Sequence, residues 1–221
     1  MVKSNRLAAT GMGYRMVATA TLLASTGNNN VANSLPILRL SVKQYHAMLR
    51  ADVLQSGDPV ELLEGLLVLK MSKNPPHVFA NARLNDALSD LVPTDYFVNS
   101  QDPITTLESE PEPDASVIRG QRRAFLQSHP TPSDVAMIGE VADSSLDYDR
   151  GIKKRIYARA AIPIYWIVNL IDRRIEVYTD PTGPGEFPDY LTRQIYGEDD
   201  SVPVIIDGNE VGRIAVRDVL P

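Results

Sequence analysis

The chain has 221 residues, 43% hydrophobic and 23% charged, ordinary proportions for one folded domain with a sizeable core. No cysteine is present, which excludes disulfides, thiol nucleophiles and cysteine-ligated metals and leaves carboxylates, lysines, hydroxyls and three histidines to carry chemistry. A net charge of −6 lacks the global basic excess of a protein that coats a polyanion, so a nucleic-acid partner requires a local basic region or a bound cation. The charge is uneven. Between Arg119 and Arg174, ten Lys or Arg stand against six Asp or Glu, whereas Gln101 to Asp114 and Gly197 to Glu210 are acidic.

Residues 1–34 form the first segment. They contain no acid, and the apolar run Val17 to Ala24 is short for a signal-peptide core and is followed by a poor cleavage pattern. They read as a disordered N-terminal extension, with the domain proper covering 35–221. No run approaches the roughly 20 apolar residues that span a bilayer, and a cytoplasmic location is expected.

From there the elements follow in order. Ser41 caps an amphipathic helix through Leu49, with Val42, Tyr45, His46 and Leu49 on one stripe and His46 simply packed there. Val60 to Met71 reads as a hairpin turning at Glu64-Gly65. Asn74, Pro75 and Pro76 start a second helix whose apolar face is Ala80, Leu84, Leu88 and Leu91. Strands are expected at Tyr96 to Gln101, Asp114 to Ile118 and Val135 to Val141. A third helix is expected from Tyr148 to Ala161, then a hairpin of Ile164 to Leu170 with Arg174 to Tyr178. Short closing strands lie at Val202 to Ile206 and Gly212 to Val216. This order describes an α/β domain with a central sheet flanked by helices.

Asp114 starts one of these strands and Glu140 lies near the end of another, so adjacency would bring both carboxylates to one sheet end. Two carboxylates there can hold Mg²⁺, which keeps several waters and needs few protein ligands. Strand-end acids are common, so spacing alone does not decide this. On the third helix Lys153 borders the apolar stripe of Ile152, Ile156 and Ala160, while Lys154 and Arg155 point away. A lysine placed beside a metal-bound water is one role for it. A structural pair with Asp149, in the ladder Asp149, Lys153, Tyr157, is the equal alternative. His77 reads as a packing or capping residue.

The run from Glu140 through Asp143, Asp149 and Lys153 to Tyr157, continuing over Ile164-Tyr165-Trp166 to Asn169, resembles the core of the Uma-two family of restriction endonucleases. Val60-Glu61 to Gly65, His77 and Glu112-Pro113-Asp114 extend the likeness over most of the chain. The resemblance implies membership of the PD-(D/E)XK nuclease superfamily, a restriction-endonuclease-like core with a mixed sheet, a Mg²⁺ cofactor with Mn²⁺ as substitute, and hydrolysis of DNA. It implies Asp114 and Glu140 as catalytic metal ligands and Lys153 as the catalytic lysine, with Glu61 and Tyr157 in support. The superfamily's lysine two positions after the second acid is absent, since Ala142 stands there, and the helix would supply Lys153 instead. A homodimer is expected, because one site per protomer cuts one strand. Two other readings stay open. One is an inactive DNA-binding or interaction module on the same fold, and the other is a carboxylate-pair hydrolase such as a glycosidase.

Overall fold

The computed structural model describes residues 36–55 and 57–221. The chain divides into two units, Met1–Leu38 and Arg39–Pro221, and the second carries every element that follows. The expected extension over 1–34 lies outside the described residues. Among the described residues no helix is long and apolar enough to cross a membrane.

Helix α1 (Val42–Arg50) starts at a capping box: the Ser41 hydroxyl accepts from the Gln44 N–H and the Gln44 side chain accepts from the Ser41 N–H. Such a cap is worth roughly 1 kcal/mol. His46 does more than pack, because its Nε2 lies 2.7 Å from Glu110 Oε2. Strands β1 (Val60–Leu63) and β2 (Leu66–Leu69) pair antiparallel. Their turn at Glu64 and Gly65 has φ of 46° and 77°, the two positive angles of a tight hairpin. A Cβ on Gly65 would meet Arg39 Cβ at 2.7 Å, so angle and space both require glycine.

Helix α2 (Pro75–Leu91) begins as expected, with the Asn74 side chain accepting from the His77 N–H and prolines where no N–H partner is needed. It buries Ala80, Leu84 and Leu88. The central sheet has six strands in the order β3 (Tyr96–Asn99), β4 (Ala115–Arg119), β5 (Val135–Ala142), β6 (Ile164–Asn169), β7 (Arg174–Pro181) and β8 (Tyr190–Gly197). β5 and β6 are parallel, which no tight turn can connect. The connection is α3 (Leu146–Tyr148), a π-helical turn (Asp149–Lys153) and α4 (Lys154–Arg159). The single regular helix expected over Tyr148 to Ala161 is thus corrected to a helix that starts earlier and widens in its middle. Strands β9 (Ser201–Ile206) and β10 (Asn209–Ala215) form a hairpin apart from the central sheet and lead into α5 (Val216–Val219).

Alternation along the strands divides the core in two. Trp166, Val168 and Val177 face α2, α5 and the β9–β10 hairpin. Ile138, Ala142, Tyr165, Ile167 and Tyr178 face the α3–α4 crossover. Glu140, between Ile138 and Ala142, faces the crossover, and so does Glu176, two residues before Tyr178.

Candidate active site

β4 and β5 run antiparallel with Ala115 opposite Gly139, which sets Asp114 beside Glu140. The two interlock through the backbone. The Asp114 N–H donates to Glu140 Oε2 at 3.3 Å, and the Val141 N–H donates to Asp114 Oδ2 at 2.9 Å. Short strand-to-strand spacing and a fixed register, not side-chain affinity, hold the two carboxylates together.

The crossover brings in the other groups. Lys153, the last residue of the π-helical turn, is 4% exposed, with Nζ 2.9 Å from Glu61 Oε2 and 3.3 Å from Glu140 Oε1. Glu61, on β1, also accepts the Glu112 N–H at 3.2 Å. The Tyr157 hydroxyl donates to Glu140 Oε1 at 2.6 Å. Asp114, Glu140, Lys153, Glu61 and Tyr157 therefore meet at one place, from four separate stretches of chain, Lys153 and Tyr157 sharing the crossover. The alternative pairing is not made: the Asp149 carboxylate takes the Ser145 hydroxyl at 2.7 Å, and Lys153 turns to the two glutamates.

Two residues given other roles by the sequence also reach this place. His77, in the first turn of α2, puts Nε2 3.2 Å from Asp114 Oδ2, while its buried Nδ1 has no hydrogen-bond partner. The helix cap uses only its backbone N–H. Asp149 is 4% exposed and lines the same cavity as Glu61, His77, Asp114, Glu140 and Lys153, about 590 Å³ in volume. Gln101 completes the hold on Asp114, donating to Oδ1 at 3.1 Å.

Protonation follows from this packing. Burial raises the Glu140 carboxyl to about 7; Lys153 opposes that shift, and Asp114 adds to it. Burial likewise raises Asp149 well above the ordinary carboxylate range, with the charge of Glu140 acting the same way. For Lys153, burial disfavours the charge, but Glu140 and Glu61 outweigh it and hold the amine cationic. Burial would also raise Asp114, yet the His77 hydrogen bond and charge bring it below its usual value.

The family model named Uma2, described as putative restriction endonuclease, matches residues 42–210. The chain belongs to the Uma2 family. A solved crystal structure, of a putative nuclease belonging to DUF820 from Anabaena variabilis ATCC 29413, superposes with a TM-score of 0.59. The superposition covers 83% of this chain and 97% of that one, at 14% identity, so the likeness is one of fold. A search of the curated proteins finds no match.

Within this Uma2 chain Ala142, two positions after Glu140, is fully buried in the apolar layer under the crossover. The only nearby amine among the described residues that reaches Glu140 is that of Lys153, from the helix above. A hard divalent cation fits the donors present. Asp114 and Glu140 offer carboxylate oxygens, and a bound cation would offset the burial that raises Glu140. Among the described residues there is no group of three or more His, Asp or Glu arranged as a complete metal site. Two protein carboxylates with water or phosphate completing the shell are the form that Mg²⁺ ordinarily takes.

Proposed function

We propose that this Uma2 chain is a Mg²⁺-dependent endonuclease of the PD-(D/E)XK type that hydrolyses DNA phosphodiester bonds. The observation that carries this reading is the interlocked pair Asp114 and Glu140 with the Lys153 amine 3.3 Å from Glu140, all lining an open cavity. Asp114 and Glu140 would hold the ion, Mn²⁺ being a substitute. When bound, it supplies Lewis-acid polarisation of the phosphodiester and a more acidic water. Lys153, kept cationic by Glu140 and Glu61, stabilises the negative charge that grows on the phosphate. Glu61 and Tyr157 hold the lysine and Glu140 in place, and His77 and Gln101 fix Asp114. With one such site per chain, a homodimer would cut both strands of a duplex.

Nicking of supercoiled DNA tests the reading. It should require Mg²⁺ or Mn²⁺, stop in EDTA, and fall roughly a thousandfold in Asp114→Ala, the order expected for loss of a charge-stabilising group. Undiminished nicking by that variant sinks the assignment.

A second reading, a DNA-binding or protein-interaction module without chemistry, is favoured by one observation. Ala142 replaces the usual lysine, and Lys153 already has two carboxylate partners. Salt-sensitive DNA binding with no cleavage under any divalent metal would establish that reading instead.

A further inference from the structure

The same sheet face carries a second buried acid. Glu140 pairs with Ile167 on β6, and Ile167 pairs with Glu176 on β7. The two glutamates therefore share one row, about 10 Å apart by two strand spacings. Glu176 is fully buried and accepts from Arg150, from Arg174 Nε at 3.2 Å, from Arg193 Nη2 at 2.8 Å, from Asn169 at 3.0 Å and from the Tyr178 hydroxyl at 2.8 Å.

This is more donor capacity than the acid can use. A carboxylate offers about four lone-pair sites, and one arginine neutralises it. Asp172 is the other acid in contact, pairing with Arg174 at 2.8 Å and Arg150 at 3.6 Å, so three guanidiniums face two carboxylates. The arginine side chains are 28 to 41% exposed, Arg193 the most. Among the described residues, Arg193 spends one nitrogen on Glu176 and the rest of its fork has no hydrogen-bond acceptor. The cluster is thus an excess of positive charge whose guanidiniums are already oriented from beneath.

Its location relates it to the site above. β5 and β6 are parallel and end together, β5 at Ala142 and β6 at Asn169, while antiparallel β7 begins at Arg174. Both acids therefore lie toward one end of the sheet, on one face. The π-helical turn stands between them, sending Lys153 to Glu140 and Arg150 to Glu176.

We propose that Arg150, Arg174 and Arg193 form a phosphate-binding subsite that seats a backbone phosphate of the DNA strand, next to the phosphodiester held at Asp114 and Glu140. The proposal rests on the nuclease reading. Guanidinium forks match phosphate oxygens in pairs. Because Glu176 orders them beforehand, less side-chain freedom is lost on binding than a mobile surface arginine would lose.

The test measures binding of a short DNA duplex by fluorescence anisotropy in EDTA across a range of salt, for the native chain, Arg193→Gln and Arg174→Gln. Each variant should lose affinity by roughly fivefold at about 0.15 M salt, and lower the slope of log K against log salt by about 0.9, the signature of one phosphate contact. Mg²⁺-dependent hydrolysis of bis(p-nitrophenyl) phosphate, which has no neighbouring phosphate, should keep the native rate. Affinity and slope unchanged in both variants, with native thermal midpoints, overturn the subsite. A native chain that binds no duplex also overturns it, as does loss of diester hydrolysis in step with DNA affinity. If Arg174→Gln does not fold, Arg193→Gln carries the test, since Arg150 and Arg174 still satisfy Glu176. Weakened DNA binding in the arginine variants beside undiminished nicking by Asp114→Ala would retain the subsite and reject the catalytic assignment.

Discussion

Glu140 and Glu176 occupy one row of one sheet face and are 4% and 0% exposed, yet their protons behave in opposite ways. Burial pushes both carboxyls up. At Glu140 it prevails and the group sits at about 7; at Glu176 the hydrogen bonds of Arg150, Asn169 and Tyr178 and the charge of Arg193 overcome it and bring the group to about 2. Each accepts a tyrosine hydroxyl, so that feature does not separate them. Two differences remain, the deeper placement of Glu140 within the fold and the larger supply of positive charge at Glu176. Glu140 shares one lysine with Glu61 and faces Asp114, while Glu176 is in contact with three arginines. Removal of water sets the cost of ionisation, and the count of nearby cations decides whether it is met. An acid left short of cations is suited to hold one, and an acid with a surplus becomes an anchor.

Exchanging each acid for its amide gives the largest expected separation. Glu176→Gln takes the shared counter-charge from three partly exposed guanidiniums and should cost about 3 kcal/mol in urea denaturation, the order of a strong charged hydrogen bond. Glu140→Gln removes an acid that burial already disfavours and leaves the buried Lys153 paired with Glu61, so its unfolding free energy should stay within about 1 kcal/mol of native. Equal destabilisation in the two variants would break the comparison.

Acid titration in EDTA should separate them again. Glu176 is depressed in the fold, so its contribution is present above its ordinary value of 4.5 and is lost as pH falls toward about 2, with a total on the order of 2 kcal/mol. Glu140 is raised, so it favours the fold below 4.5 and that contribution disappears as pH rises through about 7. Thermal midpoints against pH should therefore show a shallower acid limb in Glu176→Gln and a shallower decline between pH 4.5 and 7 in Glu140→Gln. Limbs of native steepness in both variants would contradict the assignment.

The tyrosines give the smallest contrast. Tyr178→Phe removes a hydrogen bond to an ionised carboxylate and should cost about 2 kcal/mol, whereas Tyr157→Phe removes one to a carboxyl near half-protonation and should cost about 1 kcal/mol. Chemical denaturation at pH 7 reads both.

Features set by neighbours along the chain are legible in the amino-acid order alone: the Ser41 capping box, the Glu64-Gly65 turn, the Asn74 cap with its prolines and the β6–β7 hairpin. Asp114 and Glu140 are legible as a pair because adjacent strands bring their ends together whatever the rest of the chain does. Strand β8 is not, since Tyr190–Gly197 is an edge strand exposed along much of its length and carries Thr192, Arg193 and Gln194 in place of a clean apolar alternation. His77 reads as part of its helix because a sequence does not say which strand a helix start faces. The Arg150 contact with Glu176 spans 26 positions and two elements, with no local signal. Tyr148 to Ala161 shows a helix but not its π-helical turn, which departs from regular spacing by a single hydrogen-bond step.

That turn makes the spacing of the crossover matter as much as its composition. Asp149, Arg150 and Lys153 are placed by a stretch that holds one residue more per turn than a regular helix, and Gly151, in open space, lies inside it. Shortening the chain there by one residue would replace the wide turn with a regular one and change where the residues inside it project, Arg150 among them. Tyr157 could remain over Glu140 while Arg150 left Glu176. Substitutions along the crossover change one contact at a time, whereas an insertion or deletion in this turn would uncouple the two acids of the row at once.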